Sequence, residues 1–216
     1  LLVGLAGGMT AAVFKLYDMK VDAVDLDPEI IAVAREHFSF EGNAVAADGR
    51  RYLEDCREKY DFCVIDTYSG DAFPFHLASR EAFEAARKVL KPEGILAINF
   101  IGAPEGRAFA CTYRTISEVF PHVSALRGEP NFDVQTITIF ASDRKIEFNG
   151  AWLDYRPGGG GADPIGEAID LLKFKPDLSA SFVLTDDYNP IDFLRAGEAL
   201  RWRERTRQNI GPGVGL

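Results

Sequence analysis

The chain of 216 residues is short of cysteine, of histidine and of positive charge, and it has no long apolar run. Each shortage excludes something. Its three cysteines, Cys56, Cys63 and Cys111, lack metal-type spacing, and their odd number forms no disulfide framework. That is the pattern of reduced thiols in a cytosolic protein, and Cys63, set in an apolar run, reads as core. Lys and Arg number 24 against 33 Asp and Glu, a net charge of −9. Phosphate binding needs clustered Lys and Arg, so the balance argues against a nucleic-acid partner. It is compatible with a cationic substrate, and equally with simple solubility. No apolar run approaches the roughly 18–20 residues of a membrane span. The apolar start, Leu1-Leu2-Val3, breaks into glycines without a basic flank and is no signal peptide. There is no initiating Met, so the chain is expected to begin inside a longer protein.

What is present is ordinary globular composition, 47% apolar and 26% charged, enough for one domain with a buried core. Short apolar runs alternate with helical patterns. Strands are expected over 1–5, 21–26, 44–47, 62–65, 95–100, 123–126 and 134–141. Helices are expected over 9–18, from Asp27-Pro28 to about 38, over 50–58, from Ser79 to about 90, over 107–119 and over 196–207. Lys91-Pro92-Glu93-Gly94 reads as the end of the helix begun at Ser79. Residues 158–161 read as a flexible glycine loop and 165–174 as helical. Strands alternating with helices imply an α/β fold: a seven-stranded, mainly parallel sheet with helices on both faces and an antiparallel strand at its far edge. No repeat or separate second domain is visible.

The candidate chemistry sits at the ends of these strands. Gly4-Leu5-Ala6-Gly7-Gly8 follows strand one and precedes a helix, and glycines there allow a tight turn and close approach to a ligand. The spacing Gly4-x-Ala6-x-Gly8 suits a nucleoside amino acid better than a pyrophosphate. About twenty residues on, Asp25 can accept ribose hydroxyls, while Asp27 reads as a helix cap. Asp48-Gly49 ends strand three. Its carboxylate can accept the exocyclic amine of adenine, or the pair is a plain turn. Asp66 ends strand four, where a carboxylate can orient an amine or take its proton, or simply cap the turn. The loop after it carries Tyr68, Phe73, Phe75 and His76, which can wall a cleft. His76 reads as a surface or capping residue rather than a base. Ligands of open α/β sheets bind at such carboxyl ends.

The series Gly4-Leu5-Ala6-Gly7-Gly8, Asp25-Leu26-Asp27-Pro28, Ala47-Asp48-Gly49-Arg50 and Tyr60-Asp61 to Asp66 resembles the spermidine synthase family of aminopropyltransferases. Ser69-Gly70-Asp71-Ala72-Phe73-Pro74-Phe75-His76-Leu77, Arg80-Glu81-Ala82-Phe83 and Leu184-Thr185-Asp186-Asp187-Tyr188-Asn189-Pro190 look like its bacterial synthase-like branch. The resemblance runs from residue 1 to about 195. It implies a Rossmann-like, S-adenosylmethionine-dependent methyltransferase fold over 1–195, followed by a carboxyl-terminal helix and tail over 196–216. It implies transfer of an aminopropyl group from decarboxylated S-adenosylmethionine to a diamine such as putrescine. Gly4, Ala6 and Gly8 would contact the aminopropyl sulfonium, Asp25 the ribose, and Asp48 with Gly49 the adenine. Asp66 would deprotonate the attacking amine, with Tyr68 and Asp71 beside it, and no metal would be involved.

The chain departs from the family at two positions. Gly7 stands where family members carry Asp, and Ser69 stands where they carry a second Asp, for which Asp71 can substitute. The family's amino-terminal β-domain is expected to be absent. Two other functions share these features. One is methylation of a small molecule with intact S-adenosylmethionine; the other is non-catalytic nucleoside binding, since fold does not fix function. A small-molecule amine is the expected partner, with neither nucleic acid nor membrane, in a possible cytoplasmic homodimer.

Overall fold

The computed structural model describes residues 1–68, 73–128, 132–148 and 172–210. Its first half alternates strand and helix: β1 (Leu2–Val3), α1 (Met9–Lys15), β2 (Asp22–Asp25), α2 (Pro28–His37), β3 (Asn43–Ala46), α3 (Gly49–Asp55) and β4 (Tyr60–Ile65). A single 3-10 turn, Phe75–Leu77, leads into α4 (Arg80–Lys88). Then follow β5 (Leu90–Gly102), α5 (Arg107–Val119), β6 (His122–Arg127), β7 (Gln135–Ser142), β8 (Lys173–Phe174) and α6 (Ile191–Ile210). The helix starts are capped as their sequences suggest. Asp27 accepts from the Glu29 amide with Pro28 in the first turn, Asp48 accepts from the Arg51 amide, and Ser79 accepts from the Ala82 amide.

The strands form one sheet in the order β3-β2-β1-β4-β5-β7-β6-β8. Strands β1 to β5 are mutually parallel, while β7, β6 and β8 pair antiparallel at the far edge. The chain winds outward from β1 to β3, then crosses back to β4. The reversal between β1 and β4 opens a crevice at their carboxyl ends, where open α/β sheets bind ligands.

Three expectations need correction. The sheet has eight strands rather than seven, because Lys173–Phe174 adds an edge strand to β6. Two residues carry no readable alternation, and it is the stacking of Phe174 on Phe109 (ring centroids 5.2 Å apart) that fixes them. They close the segment 165–174 expected to be helical; residues 158–161 and 165–171 lie outside the described residues. The tetrapeptide Lys91-Pro92-Glu93-Gly94 lies inside β5 and ends no helix. Tyr60 pairs with Leu90, and the register shifts between Tyr60 and Phe62, the kind of irregularity at which a strand tolerates proline. Finally, α6 begins at Ile191, five residues before the expected start at 196.

Side chains alternate across β1, so Leu1 and Val3 join a large core cluster on one face while Leu2 joins a small one on the other. Helices α3, α4 and α5 cover the first face through Leu53, Phe83 and Phe109, and α1 and α2 cover the second through Ala11, Ile31 and Ala34. Cys63 and Cys111 are buried in the large core. No helix among the described residues is long and apolar enough to cross a membrane.

Candidate active site

The glycine turn is dictated by how closely β1 and β4 approach. Gly4 has φ 92°, and a Cβ there would lie 2.1 Å from the Asp66 carbonyl oxygen, so no other residue fits. Gly8 (φ 74°) and Ala6 (φ 45°) complete the left-handed positions. Gly7 is not strained, and a Cβ on it would meet only the Phe38 ring at 3.6 Å.

Asp25, at the end of β2, holds this turn in place. Its Oδ2 accepts from the amides of Leu5 (2.8 Å) and Ala6 (3.3 Å), and its Oδ1 accepts from the Asp27 amide (3.1 Å). An ionised carboxylate has about four acceptor sites, so capacity remains for a ribose hydroxyl. Asp48, at the end of β3, accepts from the Arg51 amide through Oδ1 at 3.0 Å, and its Oδ2 lies 3.0 Å from His76 Nε2. Burial alone would raise the Asp48 carboxyl. The hydrogen bonds from Arg51 and His76 override it and hold the group below the ordinary carboxylate value. Gly49 is required beneath it, since a Cβ would lie 2.5 Å from Val3 Cγ1.

Asp66, at the end of β4, accepts from Asn99 Nδ2 at 2.8 Å. Asn99 was not foreseen; it stands on the neighbouring β5, and only the pairing of β4 with β5 brings it there. Two buried oxygens beside this carboxylate, Thr67 Oγ1 and Asn99 Oδ1, have no hydrogen-bond partner among the described residues. The hydroxyl of Tyr68 accepts from the Ile101 amide at 2.5 Å, and its ring packs edge-on to Phe73 with the Arg195 guanidinium 5.6 Å from its centre. Burial pushes that phenol well above its usual range. Asp71 lies outside the described residues, as do Ser69 and Gly70.

A second group that sequence reasoning missed surrounds Arg50. Its Nε donates to Glu54 (2.6 Å), Nη1 to the His76 carbonyl (3.1 Å) and to Ser79 Oγ (3.1 Å), and the guanidinium grips both oxygens of Asp186 (3.3 and 3.0 Å). Ser79 Oγ donates to Asp186 at 2.5 Å, and the Asp186 amide donates to Glu81 at 3.0 Å. A cavity of about 260 Å³ lies beside this network, lined by Arg50, Glu54, Phe75, His76, Asp186 and Asn189. His76 is half exposed, as expected of a surface residue, and its ring faces Asp48. In sequence the carboxylate in reach of Arg50 is Glu54, one turn on along α3, and nothing local pointed to Asp186.

Asp25, Asp48 and Asp66 therefore stand at the ends of β2, β3 and β4, with the glycine turn ending the intervening β1. Among the described residues no group of three His, Cys, Asp or Glu is placed to hold a metal ion.

Residues 1–106 match the family model of the spermine/spermidine synthase domain. The probable polyamine aminopropyl transferase of Bifidobacterium longum is 30% identical over 138 residues, 61% of this chain and 31% of that protein. The polyamine aminopropyltransferase of Korarchaeum cryptofilum is 30% identical over 148 residues, 63% of this chain and 46% of that protein. The chain thus spans less than half the length of these two curated relatives. In fold it resembles a probable spermidine synthase from Corynebacterium glutamicum, with a TM-score of 0.64 at 20% identity, covering 91% of this chain and 69% of that one. The matched residues include β1 to β5 and every described crevice residue, whereas the motif at 184–190 lies beyond them.

Proposed function

Because residues 1–106 match the spermine/spermidine synthase domain model, we propose that the crevice binds decarboxylated S-adenosylmethionine and transfers its aminopropyl group to a diamine. The observation that carries this reading is the position of Asp66: its carboxylate is braced by Asn99, and its backbone carbonyl lies against Gly4 of the glycine turn. The residue that would act as base and the turn that would hold the sulfonium are thereby neighbours at the ends of β4 and β1. The adenosyl group would lie along the carboxyl ends, with Gly4, Ala6 and Gly8 near the sulfonium, Asp25 toward the ribose, and Asp48 with Gly49 toward the adenine.

The chemistry follows from that placement. A protonated amine has no lone pair to attack with, so Asp66 takes or orients its proton. The amine nitrogen bonds to the aminopropyl carbon attached to sulfur, the carbon–sulfur bond breaks, and the electron pair leaves on sulfur as methylthioadenosine. No covalent enzyme intermediate is needed; holding the reactants in line supplies much of the rate. Asp71 is proposed as a second carboxylate for the amine, with Tyr68 as part of the wall. Free thiols and the family's small-molecule chemistry support a cytoplasmic enzyme, and a homodimer is proposed on family grounds alone.

The test belongs in the full-length protein, with decarboxylated S-adenosylmethionine and a panel of diamines including putrescine. Asp66→Asn should lower turnover by about 10²–10⁴-fold. It should leave methylthioadenosine affinity within about twofold, because the group acts in the transition state. Absence of aminopropyl product with every diamine, together with methyl transfer from intact S-adenosylmethionine or bare nucleoside binding, overturns the reading. Calorimetry with both forms of the sulfonium separates these cases, since a methyltransferase must accommodate the carboxylate that an aminopropyltransferase excludes.

A further inference from the structure

The motif at 184–190 is stitched to the segment that carries His76. The Leu184 carbonyl accepts from the Arg80 amide (2.8 Å), Asp186 binds Arg50, Ser79 and Glu81, and Asn189 Nδ2 donates to the Phe75 carbonyl (2.8 Å). These bonds pin both ends of residues 75–81. Between the pinned ends stands His76, whose carbonyl is held by Arg50 and whose Nε2 faces Asp48. An ionised carboxylate only accepts, so Nε2 carries the proton in that contact and, with the Arg51 amide on Oδ1, fixes the orientation of the Asp48 carboxylate.

We propose that Arg50 and Asp186 are positioning residues for the nucleoside site, acting through His76 to fix the Asp48 carboxylate. The proposal rests on the reading of Asp48 as the adenine-facing group. Arg50 suits the task because its planar fork engages Asp186 through two donors, fixing angle as well as distance, which a lysine cannot do. The Arg50 side chain is only 14% exposed and so is held in one place, while Asp186 meets it from the solvent side at 48% exposure. The chain order explains why one residue serves two ends: Arg50 lies two positions after Asp48 on α3, so the helix that carries the adenine-facing carboxylate also carries the clamp. The motif at 184–190, remote in sequence from the family match, thus becomes part of the binding machinery by holding its wall.

The experiment is calorimetry of methylthioadenosine on the full-length protein, read together with thermal unfolding. Asp186→Asn should weaken binding about tenfold, and His76→Ala should weaken it comparably. The double variant should lose little more than either single one, because both act on Asp48 through one route. Asp186→Glu should recover part of the loss, and Arg50→Lys, which keeps the charge but not the fork, should not. Additive losses, or Asp186→Asn binding like the parent while Asp48→Ala binds weakly, overturn the positioning role and leave the nucleoside reading intact. If Asp48→Ala itself binds like the parent, the nucleoside reading falls and the proposal with it. Should Asp186→Asn lose its cooperative melt, Arg50→Lys takes its place in the double-variant comparison with His76→Ala. A non-additive loss there supports the positioning role, and an additive one overturns it.

Discussion

On one face of the sheet Phe73, Phe83, Phe100, Phe109 and Phe120 are all buried in a continuous cluster reaching from β1 to α6. On the other face the core is only Leu2, Leu5, Ala11, Ala23, Ile31, Ala34 and Phe40, and α1 turns Met9, Val13 and Leu16 to solvent. The glycine turn belongs to the thin face through Leu5 and Ala11. It is therefore held less by packing than by hydrogen bonds, above all those that Asp25 accepts from the Leu5 and Ala6 amides. The thick face supplies rigidity for Asp66 and Asn99; the thin face supplies a turn able to adjust to a ligand. Elements with few buried contacts are the ones that open locally at least expense of free energy.

That contrast breaks most easily at its strong end. Phe109 is fully buried against Phe100, Tyr113 and Phe174, so Phe109→Ala should cost about 3–5 kcal/mol in chemical denaturation. A loss under about 1.5 kcal/mol would show that the thick cluster does not dominate stability. Ile31→Ala, in the small cluster, should cost about 2–3 kcal/mol. In native-state hydrogen exchange the amides of α1 and α2 should open ahead of those of β5 and β7; equal protection would erase the distinction between faces.

At the turn itself, Asp25→Ala should weaken methylthioadenosine binding by about 1.5–3 kcal/mol, the size of charge-assisted hydrogen bonds. It should also speed exchange at Leu5 and Ala6 without moving the global midpoint much. Unchanged affinity removes Asp25 from the ribose.

Titration sharpens the same comparison with opposite signs. At Asp186 burial would raise the carboxyl, but the hydrogen bonds from Ser79 and Arg50 hold it below the ordinary value. Its contribution to stability is present above the unfolded carboxylate value and is lost as pH falls through the lower folded value. Glu198 of α6 is the reverse: burial raises its carboxyl despite the Ala103 amide and the Arg195 charge. Ionising it costs stability above the folded value, and that cost disappears as pH falls. In urea titrations across the acid range, Asp186→Asn should flatten the acid loss and Glu198→Gln should steepen the net loss. Variants that leave the profile unmoved refute these assignments. The smallest effect is expected at Leu16, which is 57% exposed: Leu16→Ser should change stability by less than about 0.5 kcal/mol. A larger loss would mean that the outer side of α1 is not solvent-facing.

The parallel half of the fold was legible because its signals are local. Asp27-Pro28 and Ser79 start helices by capping, and the apolar runs that became β1 to β4 are bounded by turns. What was not legible depends on remote partners. Pro92 sits in a strand because Tyr60 pairs with Leu90 across a bulge, and Phe174 forms an edge strand because Phe109 offers a ring to stack on. At the site, Gly4, Asp25, Asp48 and Asp66 could be nominated because turns after successive parallel strands must meet at one edge. Asn99, Arg50 and Asp186 could not, since nothing near them in sequence states which carboxylate or cation they will meet. His76 is a surface residue as read, but its partner Asp48 could not be named from sequence.

By itself, then, the sequence determined the strand-and-helix alternation, the glycine that lets β1 and β4 close together, and the row of aspartates ending successive strands. These are fixed by backbone sterics, capping and burial, which act over a few residues. Tertiary structure alone decided that Asp25 ties down the turn, that Asn99 braces Asp66, and that a motif at 184–190 clamps Arg50 and residues 75–81. Charge pairing and cross-strand contact act through space, and their partners here lie between about 20 and more than 130 residues apart in the chain.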